Sequence, residues 1–212
     1  MDVNEAAPRR AGWLERFSPL GGIVFAVWLL VGFFTSGETG ETAQSIVAYS
    51  ESHETNLVFM QILAIATPIL IGWTLAGLVA RMRSTDTVLR ALTLVGGAVF
   101  ITLFATAFTI WNAPLLDESL TVENAATYLL LDDFGWILLG IGGVGLGVAI
   151  VAVSIAALRD RWVPKWVAWV SLALGLLAFL SVMGIGLFAY VGWLLVAGLL
   201  LLVRPRRDVA VA

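Results

Sequence analysis

Five long stretches of this chain carry no charged side chain, and they restrict the possible fold more than any other feature. They are residues 17–37, 57–80, 91–116, 134–158 and 166–203. A spanning α-helix needs about 20 apolar residues to cross a hydrocarbon core of about 30 Å. Each of the first four stretches therefore predicts one spanning helix. The fifth would be about 57 Å long as a single helix, so it predicts two helices that fold back near residues 183–186.

These stretches predict an all-α polytopic membrane protein with six transmembrane helices in three hairpins. Composition agrees, because 60% of the residues are hydrophobic and 13% are charged, whereas about a quarter of a soluble domain is charged. We expect one membrane domain over residues 1–212, in which two acidic outer loops, 38–56 and 115–133, carry short amphipathic helices. The predicted helices cover approximately residues 17–37, 57–80, 91–114, 134–158, 166–183 and 185–203.

The charges follow the positive-inside rule, by which cytoplasmic segments are rich in Lys and Arg. With six helices and a cytoplasmic N-terminus, all 12 basic residues fall on the inside and none in the outer loops. The sequence therefore predicts a multi-pass protein of the plasma membrane with both termini in the cytoplasm and the first helix retained as an anchor. The basic residues are Arg9, Arg10, Arg16, Arg81, Arg83, Arg90, Arg159, Arg161, Lys165, Arg204, Arg206 and Arg207.

An internal repeat is also indicated. The sequence Gly-Gly-Ile-Val-Phe at residues 21–25 returns as Gly-Gly-Ala-Val-Phe at residues 96–100. An acidic loop with a helix-like segment ending in tyrosine follows each, with Tyr49 in the first and Tyr128 in the second. Helices 1–2 and 3–4 would then be two copies of one hairpin in the same orientation.

Several classes of function are excluded or disfavoured by what the chain lacks. It has no cysteine and one histidine, which excludes thiolate metal sites and centres that need several histidines. A net charge of −3 with no pooled basic surface argues against nucleic acid as a partner. No ionisable residue is predicted deep within a helix, as ion-coupled pumps usually need. We expect no cofactor and favour a protein that is not an enzyme.

The stretch Gly-Ile-Gly-Gly-Val-Gly-Leu-Gly at residues 140–147 contains the letters of a dinucleotide-binding turn. That motif needs a strand before it and a helix after it, but this stretch lies within an uncharged run that must be helical in lipid. Small residues at such spacing instead allow close helix packing. We therefore interpret Gly140, Gly143 and Gly147 as a helix-packing face.

Polar residues near the predicted outer surface suggest a binding cleft. Thr106 and Thr109 follow one face of helix 3, Asn112 comes one turn later, and Gln61 lies near the start of helix 2. With Asp132 and Asp133 they would wall a polar cleft that opens outward. Asn and Gln are costly in lipid and should face protein or water. Hydrogen bonding between helices and ordinary interface polarity would explain the same pattern.

The pairs His53-Glu54 and Asp132-Asp133 raise the possibility of a divalent metal site with nitrogen and oxygen ligands. Carboxylates at a helix start are more often N-caps, which the helix dipole favours. We regard capping and solvation as the stronger explanation, so the metal hypothesis for His53 and Glu54 is a minor one.

The inner loop at residues 157–169, Ala-Leu-Arg-Asp-Arg-Trp-Val-Pro-Lys-Trp-Val-Ala-Trp, resembles a broad set of uncharacterised bacterial multi-pass membrane proteins. In that set a basic loop with a proline leads into a helix that starts with spaced tryptophans. The Tyr49 segment, the Arg-Met-Arg loop at 81–83 and the closing Trp193 helix resemble it too. This chain has Val167-Ala168 where the set has Leu-Gly. The resemblance, over about residues 17–207, implies six helices and a domain of unknown function, with no reaction.

Three functions fit the sequence. The leading one is a non-enzymatic membrane protein that binds a lipid, a small amphiphile or a partner membrane protein, including another copy of itself. The second is a small transporter or channel whose outer vestibule is the polar cleft. The third is an intramembrane metal protein or enzyme that uses His53 with the acidic pairs.

Overall fold

The computed structural model describes residues 16–37, 40, 42–82, 86–117 and 120–203. Within them the chain is built from α-helices and one short 3-10 helix. The elements in chain order are α1 (Pro19–Thr35), α2 (Ala43–Arg81), α3 (Thr87–Leu115), α4 (Ala125–Asp160), α5 (Lys165–Ala178), the 3-10 helix (Phe179–Met183) and α6 (Ile185–Val203).

Four helical segments are long and apolar enough to cross a membrane. They are Ala43–Arg81, Thr87–Leu115, Thr127–Asp160 and Lys165–Met183, and the last joins α5 to the 3-10 helix. Pro19–Thr35 and Ile185–Leu199 are apolar but shorter. The sequence therefore suits a membrane-embedded protein.

The helices reach further than the uncharged runs. Residues 42–56 were expected to belong to a loop, but α2 begins at Ala43, where Thr42 and Ser45 form a reciprocal capping box. The backbone departs from helical geometry at His53 (φ −120°, ψ 17°), so α2 bends there and continues. In the same way, α4 begins at Ala125. The two amphipathic segments are thus the first turns of α2 and α4.

The fifth uncharged run is divided near Gly184, between the 3-10 helix and α6. The 3-10 helix ends at Gly184, which has a φ of +79°. A left-handed conformation of this kind favours glycine, because a Cβ would collide with the backbone. Gly184 therefore permits the turn from the 3-10 helix into α6.

Aromatic side chains fill the middle of the bundle. Phe25 of α1 lies 5.9 Å from Phe100 and 5.0 Å from Phe104, both of α3, between ring centroids. Phe100 also contacts Tyr190 of α6 at 5.3 Å. All four side chains are fully buried. Edge-to-face packing of this kind stabilises the core beyond simple burial.

The glycine-rich stretch of α4 packs against three neighbouring elements of the same chain, which are the 3-10 helix, α3 and α5. On one side, a Cβ on Gly143 would overlap Ser181, and a Cβ on Gly140 would lie 2.9 Å from the Val182 Cα. On the other side, a Cβ on Gly145 would lie 2.8 Å from the carbonyl oxygen of Gly96 in α3. Gly147 faces α5, where its Cβ would lie 3.0 Å from the carbonyl oxygen of Gly175.

Gly21 of α1 and Gly96 of α3 each contact the helix that follows in the chain, at the same sequence separation. A Cβ on Gly21 would overlap the carbonyl oxygen of Leu70, which lies 49 residues later. A Cβ on Gly96 would overlap the carbonyl oxygen of Gly145, which also lies 49 residues later. In both helix pairs, a glycine contact thus joins residues that are 49 positions apart in the sequence.

Charge separates the two ends of the bundle. One end, which we name the acidic end, holds Glu51, Glu54, Asp117, Glu123, Asp132 and Asp133. The opposite, basic end holds the described basic residues Arg16, Arg81, Arg90, Arg159, Arg161 and Lys165. The predicted inside residues Arg9, Arg10, Arg83, Arg204, Arg206 and Arg207, and the predicted outer-loop residues Glu38, Glu41 and Glu118, lie outside the described part of the chain.

At the basic end, Asp86 joins α3 to the end of α4. Its Oδ1 accepts hydrogen bonds from the backbone amides of Val88 and Leu89 at 3.1 and 3.3 Å. Its Oδ2 accepts from Arg159 at 2.6 Å. The bond from Arg159 is the main reason that the pKa of Asp86 lies below its ordinary value, and the amide bonds add to the effect.

We expect Asp86→Ala to lower the thermal unfolding midpoint more than Asp86→Asn, because asparagine still caps α3 but cannot pair with Arg159. The ionised carboxylate of the wild type stabilises the fold fully above the ordinary pKa of 3.8, and this stabilisation disappears as the pH falls through the lower pKa of the folded state. Thermal unfolding in a neutral detergent across this acid range is the measurement. Equal midpoints for both variants would contradict the capping role.

We expect Gly143→Ala to destabilise the protein by about 1–3 kcal/mol, because the new Cβ would overlap Ser181 in a filled interface. The matched control is Gly192→Ala in α6, where a Cβ would have no neighbour within 4 Å. This control should be neutral or stabilising by about 0.5–1 kcal/mol. Chemical unfolding of both variants tests the difference, and an unchanged Gly143→Ala would mean that the face is not filled by the same chain.

Candidate functional site

A cavity of about 420 Å³ lies at the acidic end, between helices α1, α2, α3, α4 and α6. Its size falls within the range of small-molecule sites, about 300–1,000 Å³. Its walls combine polar and apolar side chains. The lining residues are Leu29, Phe33, Phe34, Ser36, Gly37, Tyr49, Asn56, Leu57, Met60, Phe108, Trp111, Asn112, Leu115, Tyr128, Asp132, Trp136, Leu139 and Leu187.

Hydrogen bonds between α1 and α2 hold one wall. The indole nitrogen of Trp28 donates to the carbonyl oxygen of Phe59 at 3.1 Å. Nearer the acidic end, the Asn56 amide donates to the Ser36 hydroxyl at 2.8 Å and accepts from the Thr35 hydroxyl at 2.9 Å. Asn56 and Ser36 both line the cavity, and these bonds fix where α1 ends relative to α2.

A small apolar cluster covers the cavity at the acidic end. Tyr49, Leu57, Leu115 and Tyr128 belong to it, and each is at least nine-tenths buried. The Ser50 hydroxyl donates to the carbonyl oxygen of Leu115, which ties the start of α2 to the end of α3. The first turns of α2 and α4, expected to be short helices separate from the spanning helices, therefore form the cover of the cavity.

The opposite wall is set by contact between α3 and α4. The Trp111 indole nitrogen donates to the carbonyl oxygen of Asp132 at 3.1 Å. A Cβ on Gly135 would overlap the Nε1 of Trp111 and would lie 2.6 Å from its Cε2. The glycine therefore lets the indole lie against α4. Trp136 then packs on Trp111 with 5.1 Å between ring centroids. This contact places Asp132 and Trp111 at the same level of the cavity.

Of the buried polar side-chain atoms that lack a hydrogen-bond partner among the described residues, the amide nitrogen of Asn112 belongs to a residue that lines the cavity. Its side chain lines the cavity and is 5% exposed. Its Nδ2 is buried and has no hydrogen-bond partner among the described residues. A buried donor without a partner costs about 1–3 kcal/mol. Asn112 therefore holds an unused donor in the wall of the cavity.

The cavity has an apolar interior and a side facing the lipid region. Leu29, Met60, Phe108 and Leu139 line it and are buried. Two further lining residues, Phe34 of α1 and Trp136 of α4, are 75% and 47% exposed. The part of the wall they form is thus accessible from the apolar surroundings of the bundle.

The structure separates the residues predicted to wall the polar cleft. Asn112 and Asp132 both line the cavity. Asp133 is exposed beside it, and Thr106 and Thr109 lie on the exposed surface of α3. The Gln61 amide lies 3.5 Å from the Thr109 hydroxyl, and none of Gln61, Thr106 and Thr109 lines the cavity.

His53 and Glu54 stand at the bend of α2. The His53 ring stacks on Tyr49 at 4.3 Å between centroids, and its Nδ1 is within hydrogen-bond distance of the Ser52 hydroxyl and the Tyr49 carbonyl. Glu54 is exposed. Within the described ranges, no three or more His, Asp or Glu side chains are grouped as a metal ion would need.

Several lining residues were not singled out from the sequence, although helical periodicity could have identified them. In α4, the lining residues Tyr128, Asp132, Trp136 and Leu139 follow one another at four, four and three positions. Residues at this spacing share one face of a helix. The signal was hidden because tryptophan and tyrosine near a membrane surface are usually interpreted as interfacial anchors.

No protein-family model matches the chain, and no curated protein or solved structure does.

Proposed function

We propose that the protein binds a single amphiphilic molecule, such as a lipid or a lipid-like compound, in the cavity at its acidic end. The observation that carries the proposal is Asn112, which lines the cavity and whose buried amide donor has no partner among the described residues. A ligand oxygen would satisfy that donor. A purely apolar occupant would leave it unpaired.

The distribution of polarity in the cavity matches an amphiphile. Asn112, Asp132 and Asn56 lie towards the acidic end, and Leu29, Met60 and Leu139 lie deeper in the bundle. Binding sites of this kind hold a ligand by apolar contact and orient it with a few polar groups. A polar head would lie beside Asn112, and an apolar chain would extend inward or towards Phe34 and Trp136.

The packing of the core favours a binding function over a channel. Phe25, Phe100, Phe104 and Tyr190 are fully buried in the middle of the bundle and contact one another. They close the space between the cavity and the basic end. Conduction would need these rings to move apart, whereas binding needs no such movement.

A lipid-like ligand also suits the structure better than a partner helix at the glycines. Gly140 and Gly143 face Val182 and Ser181, and Gly147 faces Gly175, all in the same chain. The close contact that such residues allow is thus already made within one molecule.

For the membrane topology, we infer six spanning helices in three hairpins, with the basic end in the cytoplasm and the first two hairpins as copies of one unit. The separation of charge between the ends supports the orientation. The shared spacing of 49 residues from Gly21 to Leu70 and from Gly96 to Gly145 supports the repeat. Under this topology the cavity lies in the outer half of the bilayer.

We expect Asn112→Leu to lower the retention of co-purified lipid about tenfold, because the ligand loses one hydrogen bond and an apolar group replaces the donor. The empty protein should be as stable as the wild type or more so, since the variant removes an unpaired buried donor. Native mass spectrometry of protein released from a neutral detergent measures retention, and thermal unfolding measures stability.

The matched control is Thr109→Val, one turn earlier on the same helix and outside the cavity. It should leave lipid retention unchanged. If Asn112→Leu keeps the same bound lipid, or if it unfolds because Asn112 bonds within the protein, the proposed site is wrong.

We expect a cysteine at Glu51 to react with a membrane-impermeant maleimide on intact cells, and a cysteine at Thr87 to react only after permeabilisation. Both positions are exposed and lie at opposite ends of the bundle. The chain has no other cysteine, so each labelling signal has one source. The reverse pattern would invert the proposed topology, and labelling of both on intact cells would contradict it.

A further inference from the structure

The charge on the cavity wall restricts the head group of the ligand. Asp132 is the one acidic or basic side chain among the lining residues. The ion pair between Asp86 and Arg159 lies at the opposite end of the bundle. Asp132 therefore lines the cavity without a basic side chain among the other lining residues.

Aromatic residues line the cavity together with Asp132. Trp111 is held against the Asp132 backbone by its indole hydrogen bond, and Trp136 packs on it at 5.1 Å. Phe108 contacts Trp111 with 5.0 Å between ring centroids. Tyr128, one turn before Asp132 on α4, also lines the cavity. Indole and phenyl faces attract cations within about 6 Å of the ring centre, so the wall combines a carboxylate with several such surfaces.

The charge distribution of the whole bundle also disfavours an anionic head group. The acidic end carries carboxylates, and the described basic residues stand at the other end of the bundle. Phosphate and carboxylate heads are usually recognised by Arg or Lys, which the cavity lacks among its lining residues. An anionic head group would thus be repelled by Asp132 and would find no Arg or Lys among the lining residues to bind it.

We infer that the ligand is a cationic amphiphile, whose ammonium head lies between Asp132 and the Trp111–Trp136 pair and whose adjoining oxygen accepts a hydrogen bond from Asn112. Its chain lies along Leu29, Met60 and Leu139. This inference rests on the proposed function and specifies the ligand class for the same cavity.

Partial burial of Asp132 strengthens its pairing with a cationic head group. Asp132 is partly shielded from solvent, and charge pairs away from solvent are screened by salt less than exposed pairs. The neighbouring Asp133 is exposed, so a cation near it would be screened more strongly. The two adjacent carboxylates are therefore predicted to differ in their effect on binding.

The test compares two probes of the same shape, lauroylcholine and 3,3-dimethylbutyl laurate. Both carry an ester oxygen and the same chain, but the neutral ester has carbon in place of the charged nitrogen. Binding to the full chain in a neutral maltoside detergent is measured by native mass spectrometry. We expect wild-type protein to bind the cation about tenfold more tightly, in line with charge-assisted pairing and cation–π contact.

Variants test which side chain causes the preference for lauroylcholine over the neutral ester. Asp132→Asn should abolish the difference between the two probes, and the matched control Asp133→Asn should keep it. Trp136→Leu, at a half-exposed position, should reduce it and provides a second test if Asp132→Asn fails to fold. Equal binding of both probes by wild type, a preference that survives Asp132→Asn, or tighter binding of 3,3-dimethylbutyl laurate would overturn the inference.

Failure of this inference can be told apart from failure of the proposed function. If both probes bind wild type equally and Asn112→Leu weakens both, the cavity binds an amphiphile but does not select for charge. If neither probe binds and Asn112→Leu retains the same lipid as wild type, the cavity is not a binding site and both proposals fail.

Discussion

Close backbone contact between α3 and α4 is the constraint on which the rest of the structure depends. The backbones of Gly96 and Gly145 approach so closely that neither position has room for a Cβ. In lipid there is little hydrophobic drive to bring helices together, so small residues that allow such contact fix their register. That register brings Trp111 against the Asp132 carbonyl. It also places Asn112 and Asp132 on the same cavity.

The cavity follows from what this contact leaves unfilled. The middle of the bundle is closed by Phe25, Phe100 and Phe104, while towards the acidic end the helices surround a space of about 420 Å³. The first turns of α2 and α4 close it above, and Phe34 and Trp136 border it on the apolar side. A closed floor, a polar upper wall and a lipid-facing side together favour retention of an amphiphile over passage of a solute.

Much of the fold could be predicted from the sequence, because uncharged runs in lipid must be helical and Gly184 stands where the last run turns. The site was only half predictable. Asn112 was identified by its polarity near the predicted outer surface, and Asp132 as one of an acidic pair at the end of the outer loop. Thr106 and Thr109 were grouped with Asn112, but at 3.6 residues per turn Asn112 is rotated by about 60° from Thr109 and about 120° from Thr106. That rotation turns Asn112 to the cavity and leaves the threonines outside. It could not be known without the packing of α3.

An experimentally determined structure of the protein in lipid nanodiscs is the most direct test of the central claim that the cavity holds an amphiphile. The account predicts elongated non-protein density within the cavity, with a polar end in hydrogen-bond reach of the Asn112 Nδ2 and an apolar end beside Leu139 or Trp136. A cavity closed by its own side chains, with the Asn112 amide bonded to the protein, would contradict it.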